Sequence, residues 1–218
     1  MAKPQKSDIT YVQLAPEHFE GVITLGNYVH GDNYLTDDLL NEYYRKSFHN
    51  DVNASWVSVY EGRIVGFRLT FAHSQWQPDQ WCTPDSWPVE PSLVCYFKCN
   101  TVAPEMQGLG IGSSLLRKSI ELAKVQGAKA GLAHIWLASP GNSAFKYFSK
   151  NGGELIKKHP DKWRYPSIHE GYDFPVCEGY CECKGLKCYL NSSLLTLHLI
   201  YDIRPAYITT SEPFAAKP

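Results

Sequence analysis

The sequence predicts an α/β fold built on a mixed sheet. Three observations carry that expectation. Segments with strand composition and segments with helical periodicity interleave, in the order strand, helix, helix, three strands, helix, strand, helix, two strands. A glycine-rich stretch joins the fourth strand segment to an amphipathic helical one. The 218 residues are 44% hydrophobic and 20% charged, which suits a single domain, residues 1–218, with a sizeable core that needs no staples to fold.

The elements follow in order. Ile9 to Leu14 reads as an opening strand. Pro16 starts a helix that buries Phe19, Ile23 and Val22. The break at His30-Gly31-Asp32-Asn33 leads to a second helix from Thr36 to Phe48, with Thr36 as its cap and Asp37 and Asp38 at the positive end of its dipole. Ser55 to Tyr60 and Ile64 to Phe71 are strands around the turn signal Glu61-Gly62. The stretch from His73 to Pro91 carries Trp76, Trp81 and Trp87 among prolines, and three tryptophans mark an ordered loop rather than a linker. Leu93 to Val102 is a central strand. A helix from Ile111 to Gln126 has Leu116, Ile120 and Ala123 as its inner stripe and Gly127 as its stop. Leu132 to Leu137 is a strand. Ser139-Pro140-Gly141-Asn142 turns into a short helix stopped by Gly152-Gly153. Glu154 to Lys158 and Leu194 to Ile203 complete the strands, with a cysteine-rich insert at about 160–192 between them.

The formal net charge is -1 and no long basic run occurs, which argues against a nucleic-acid groove. No apolar run reaches the length of a membrane span. Met1 to Asp8 lacks the apolar core of a signal peptide, so the expected compartment is the cytoplasm. There the seven cysteines would be thiols or metal thiolates rather than disulfides.

The most informative residues are Gln107-Gly108-Leu109-Gly110-Ile111-Gly112-Ser113. Between a strand and a helix, such a loop can turn successive backbone N–H groups outward, at the positive end of the helix dipole, and cradle a diphosphate. A tight structural turn is the competing reading. The nucleoside-triphosphate loop needs a lysine before its final Ser or Thr, and none precedes Ser113. The dinucleotide fingerprint needs a different glycine spacing and an acid about 20 residues on, and Gly127 to Ala130 has none.

With its preceding strand, the loop resembles the acyl-CoA motif of the GNAT N-acetyltransferase superfamily, Gln/Arg-x-x-Gly-x-Gly/Ala, matched by Gln107, Gly110 and Gly112. Val102-Ala103-Pro104-Glu105 is similar to the family's Val-x-Pro-Glu, and Asn142 to Gly153 resembles its second motif. The resemblance implies a GNAT-like fold with acetyl-CoA, or another acyl-CoA, as co-substrate. It implies that Cys99, Asn100, Thr101 and Val102 pair with the pantetheine arm and that Gly108 to Ser113 hold the diphosphate, with Asn142 touching the arm from the opposite side. An amine would attack the thioester directly. It also implies a homodimer as one arrangement, although no dimer surface can be read from the residues. The pattern is broken in three places: Phe148 stands where the family's acid tyrosine is expected, Asn142 sits one place too close to Ala144, and Tyr96 stands where many members carry a glutamate base.

Direct attack needs a neutral amine, and an alkylamine has a pKa of about 10.4 in water. His134 on the strand beside the loop is a candidate base, against a hydrogen-bonded core histidine. Tyr96 is a candidate relay, and Tyr147 a candidate acid if its helix is turned by about 100°. Cys95 and Cys99, four apart on one strand, are expected on the same face as packing residues. Asn33, Tyr34, Trp76 and Trp81 are candidates for an aromatic pocket that takes a small-molecule or peptide amine. Cys177, Cys181, Cys183 and Cys188, with His169 as a substitute, are candidate ligands for a structural zinc, against plain surface thiols. The leading reading is an N-acyltransferase. A non-catalytic acyl-CoA-binding or regulatory module is the alternative, and a zinc-dependent interaction protein is the third.

Overall fold

The computed structural model describes residues 4–136, 143–159, 173–174, 179–180 and 196–202. A seven-stranded sheet forms its centre. Its strands are β1 (Thr10–Gln13), β2 (Trp56–Tyr60), β3 (Arg63–Phe71), β4 (Val94–Val102), β5 (Ala130–Trp136), β6 (Glu154–His159) and β7 (Thr196–Asp202). Their spatial order is β1-β2-β3-β4-β5-β7-β6. The first four pair antiparallel, β4 and β5 pair in parallel, and β7 lies antiparallel between β5 and β6. The mixed sheet is the predicted one.

Four helices cover the sheet: α1 (Phe19–His30), α2 (Asp37–Lys46), α3 (Ile111–Gln126) and α4 (Ser143–Lys150). The first two face Leu69, Phe71 and Cys99; the last two face Cys95, Phe97 and Arg68. Each helix has a readable stop or start. The Thr36 side chain accepts the Leu39 N–H at 3.3 Å and caps α2. Gly110 and Gly127 bracket α3 with φ of 74° and 98°, a region that glycine enters without steric cost. α2 ends at Lys46 and not at Phe48, because Asn50 and Asp51 take φ of 49° and 61° and turn Phe48–His49 back onto Val52–Asn53 as a short ladder. The hydrogen-bonded pair Phe174–Gly179 and Asp173–Tyr180 is the described part of the cysteine-rich stretch. Among the described residues no helix is long and apolar enough to cross a membrane.

One expectation about β4 is corrected. Cys95 packs with Leu116 and Ala123 on the α3 side, whereas Cys99 packs on the α1–α2 side and takes a hydrogen bond with Tyr34. The ladder explains this. Leu69 pairs with Cys99 but Thr70 pairs with Phe97, so Lys98 is one extra residue on β4. A bulge of this kind exchanges the two faces for everything beyond it.

Candidate functional site

β4 and β5 run together over only three pairs, Val94–Ala130, Cys95–Gly131 and Tyr96–Leu132. β4 then continues to Val102, while β5 keeps its ladder with β7 as far as Trp136. The strands part just before the Lys98 bulge, which bends β4 and adds twist. The β5-facing edge of Cys99, Asn100, Thr101 and Val102 is therefore without a ladder partner among the described residues.

The glycine loop closes the far end of β4. Pro104–Met106 makes one 3-10 turn, and α3 opens at Ile111. Gly108 and Gly110 take φ of 84° and 74°. A Cβ at either would meet nothing within 4 Å, so both backbones face open space. The Gly110 carbonyl accepts the Ser114 N–H at 3.0 Å, the first bond of the helix. Among the described residues no acceptor takes the N–H groups of Gly108, Leu109, Gly110, Ile111, Gly112 or Ser113. Six such donors at a helix start, six residues with no carboxylate among them, suit a diphosphate. The Ile111 side chain points away into the core at 1% exposure and anchors the loop from below.

Beneath the first turn of α3 lies a polar cluster. The Tyr147 hydroxyl donates to the Gly112 carbonyl at 2.8 Å and accepts from Arg68 Nη1 at 3.1 Å. Its proton is thereby committed, and burial raises its pKa above the ordinary phenol value against the opposing Arg68 charge. Asn151 donates to Ser113 Oγ at 3.1 Å and to the Tyr147 carbonyl at 2.8 Å. Arg68 itself is 0% exposed, with its guanidinium 4.6 Å from the Phe97 ring centre and 5.5 Å from that of Phe148. Its Nε and Nη2, and Oδ1 of Asn100, whose Nδ2 lies close by Gly112, have no partner among the described residues. Sequence reasoning missed Arg68 and Asn151. The signal for the first was an arginine inside the otherwise apolar or small run Val65 to Phe71.

On the opposite face the structure brings Tyr96, His134 and Trp76 together. The Tyr96 hydroxyl and His134 Nδ1 are 2.9 Å apart. The Trp76 ring lies 4.9 Å from that of Tyr96, and its indole N–H donates to the Val94 carbonyl at 2.8 Å, so this tryptophan ties the loop down onto β4. Burial, and then the Asp79 charge, push the Tyr96 phenol upward. Tyr34 stacks on His30 at 4.2 Å, and His30 Nε2 stands 2.9 Å from Thr101 Oγ1. Asn33 is exposed with φ of 63°, and Trp81 is partly exposed, its N–H donating to the Asp79 carboxylate at 2.9 Å. Asn142, His169, Cys177, Cys181, Cys183 and Cys188 lie outside the described residues.

Comparison with known proteins bears on this geometry. The model of the Acetyltransferase (GNAT) family matches residues 25–152. No curated protein matches the sequence. Among solved structures, Ard1 from Thermoplasma volcanium superposes with a TM-score of 0.60 at 14% identity, over 91% of this chain and 99% of that one. An N-acetyltransferase from Staphylococcus aureus Mu50 gives 0.61 at 15%, over 90% and 99%. A GNAT family acetyltransferase from Elizabethkingia anophelis with acetyl-CoA bound gives 0.53 at 15%, over 89% and 98%. At these identities the likeness is one of fold. The family match spans more than half the chain and includes the parting strands, the glycine loop and α4, and by it the chain belongs to the GNAT acetyltransferase family, enzymes that transfer an acyl group from acyl-CoA.

Proposed function

We propose that this enzyme moves an acetyl or other short acyl group from acyl-CoA to an amino group of a small molecule or peptide, by direct attack and without an acyl-enzyme. The observation that carries the reading is the run of amides from Gly108 to Ser113, without an acceptor among the described residues, at the end of a strand that has left its neighbour. Acyl-CoA supplies a thioester, which a neutral amine can attack.

The chain's own residues divide the remaining work. The amides of Gly108 to Ser113 hold the diphosphate, and the Gln107 side chain flanks it. The open edge of Cys99 to Val102 aligns the arm as an added strand would be aligned. The hydrogen-bonded pair of His134 and Tyr96 takes the proton from the incoming ammonium, through water. Tyr147 acts by position: its hydroxyl holds the first turn of α3 against Arg68. The thiolate then leaves without a phenolic donor, in keeping with a thiol pKa of about 8.5. Asn33, Tyr34 and Trp81 border the acceptor's approach, while Trp76 fixes the loop beside them to β4.

Phe148 in the place of the family's acid tyrosine favours one second reading, an acyl-CoA-binding module that does not turn over. Acetyl-CoA added to a panel of amines, with released thiol as readout, separates the two. Thiol release with at least one amine supports transfer. A thermal shift with acetyl-CoA and no release with any amine supports the binding module.

A further inference from the structure

We propose that Asp79, Cys82 and His134 form a binding site for a zinc-class divalent ion. Their ligand atoms (a carboxylate oxygen, a thiol sulfur and an imidazole nitrogen) all lie within 4.8 Å of one another. They come from two separate parts of the fold. Asp79 and Cys82 belong to the loop between β3 and β4, and His134 belongs to β5. A turn in which the Cys82 N–H donates to the Asp79 carbonyl at 3.0 Å brings the two loop side chains to the same place. The Trp81 N–H holds Asp79 Oδ1 at 2.9 Å and so orients the carboxylate.

The imidazole is oriented too. Tyr96 engages His134 Nδ1 at 2.9 Å, which makes Nε2 the nitrogen for an ion. A metal-binding histidine nearly always has its second nitrogen fixed in this way. In this state Nδ1–H donates to the Tyr96 oxygen. The Trp76 ring packs 4.9 Å from that of Tyr96 and holds the phenol in place.

The donor set selects the ion. One thiolate, one imidazole and one carboxylate suit zinc or cobalt and disfavour magnesium and calcium, which prefer all-oxygen shells. Three protein ligands leave a fourth tetrahedral position for water or for a donor group of the acceptor. Binding displaces the Cys82 thiol proton to solvent, so affinity rises with pH. The site stands on its own geometry and does not depend on the acyl-transfer reading. If that reading holds as well, an ion on Nε2 removes His134 as a proton acceptor and slows transfer.

Cobalt(II) titration of metal-stripped full-length protein tests the proposal. The expected result is a thiolate-to-cobalt charge-transfer band that Cys82→Ser abolishes and His134→Gln weakens at least tenfold in affinity, with Tyr96→Phe weakening it about tenfold. A variant with serine at 177, 181, 183 and 188 should keep this band, which separates the site from the cysteine-rich stretch. Should that variant fail to fold, loss of one bound equivalent of cobalt in Cys82→Ser alone is the equivalent result. Far-UV circular dichroism and a cooperative thermal transition without ligand check that each variant is folded. Cobalt stoichiometry and spectrum unchanged in both Cys82→Ser and His134→Gln, or no cobalt bound at all, would overturn the site.

Discussion

Gly110→Asp is expected to abolish stabilisation by acetyl-CoA while leaving a folded protein. The two effects can be sized separately. Gly110 has φ of 74°, and an L-residue there costs about 1–2 kcal/mol, with aspartate among the better tolerated. No clash adds to that, because a Cβ meets nothing within 4 Å. For a domain of this size the cost lowers Tm by roughly 2–8 °C. The carboxylate, however, lands among the amides that would hold a diphosphate. Two unit charges about 4 Å apart in a surface environment repel by roughly 4 kcal/mol, so affinity falls at least about a hundredfold. Acetyl-CoA at about a hundred times its Kd stabilises the parent by roughly 2.7 kcal/mol, a rise of about 5–10 °C. In the variant the same concentration yields about 0.4 kcal/mol or less, a rise near 1 °C. Gly62→Asp is the matched control: φ is 75°, nothing lies within 4 Å, and the turn sits between β2 and β3. Differential scanning calorimetry of parent and both variants, with and without acetyl-CoA, reads each stability cost and each ligand shift. A Gly110→Asp protein that keeps the full ligand shift would refute the assignment of the loop.

Four further outcomes are expected. Thr36→Ala removes the acceptor for Leu39 N–H and should cost about 0.5–2 kcal/mol in urea unfolding, with an unchanged acetyl-CoA shift. Tyr147→Phe strips a hydroxyl from Gly112 and from the buried Arg68, and should cost about 1–3 kcal/mol; kcat lost by a hundredfold with full stability would instead give the phenol an acid role. Burial lowers the His30 pKa below its unfolded value, so the unfolded chain binds more protons in that window. Stability is then complete above the unfolded pKa near 6.5 and falls as pH drops below it, and His30→Gln should flatten that acid limb in a urea series. The Cys95 thiol is fully buried and pushed up to about 12, so iodoacetamide at pH 8 should modify the partly exposed Cys82 and leave Cys95 untouched, as read by peptide mass mapping.

The elements that sequence reading placed well are those with chemical punctuation at both ends. α3 is bounded by two glycines that the structure holds at positive φ, and its span matches the expected Ile111 to Gln126. Glu61 and Gly62 turn at φ of 47° and 75°, as a two-residue hairpin loop requires. The end of α2 was less legible, because Ser47 and Phe48 carry no breaker and the chain turns only at Asn50 and Asp51. The loop tryptophans were ambiguous for a different reason. A ring that lines a pocket and a ring that seals a loop have the same composition, and only tertiary contact with Val94 and Tyr96 shows that Trp76 seals. Arg68 stood out only as an arginine in an apolar run, because period-2 alternation assigns it a face but cannot say that the face is covered by Phe97, Phe148 and Tyr147.

Lys98 shows how one inserted residue can build a site that no motif describes. Without the bulge, strict alternation would keep Cys99 on the α3 side with Cys95. With it, Cys99 and Thr101 turn toward Tyr34 and His30, while Asn100 turns under Gly112. The same extra residue stands where β4 has just ended its pairing with β5 at Tyr96. A bulge raises local twist and bends its strand, so the parting of β4 from β5 and the exchange of faces have one cause. That cause also places the open backbone edge beside the glycine loop, while Tyr96, before the bulge, takes the His134 side by plain alternation. Deleting Lys98 should therefore do more than remove an exposed charge near Tyr43. It should force β4 into an unbroken ladder with β3, turn Cys99 and Thr101 over, and carry the open edge out of line with the amides of Gly108 to Ser113. Lys98→Ala keeps the extra residue and should bind acetyl-CoA as the parent does, so the contrast between deletion and alanine isolates backbone geometry from charge.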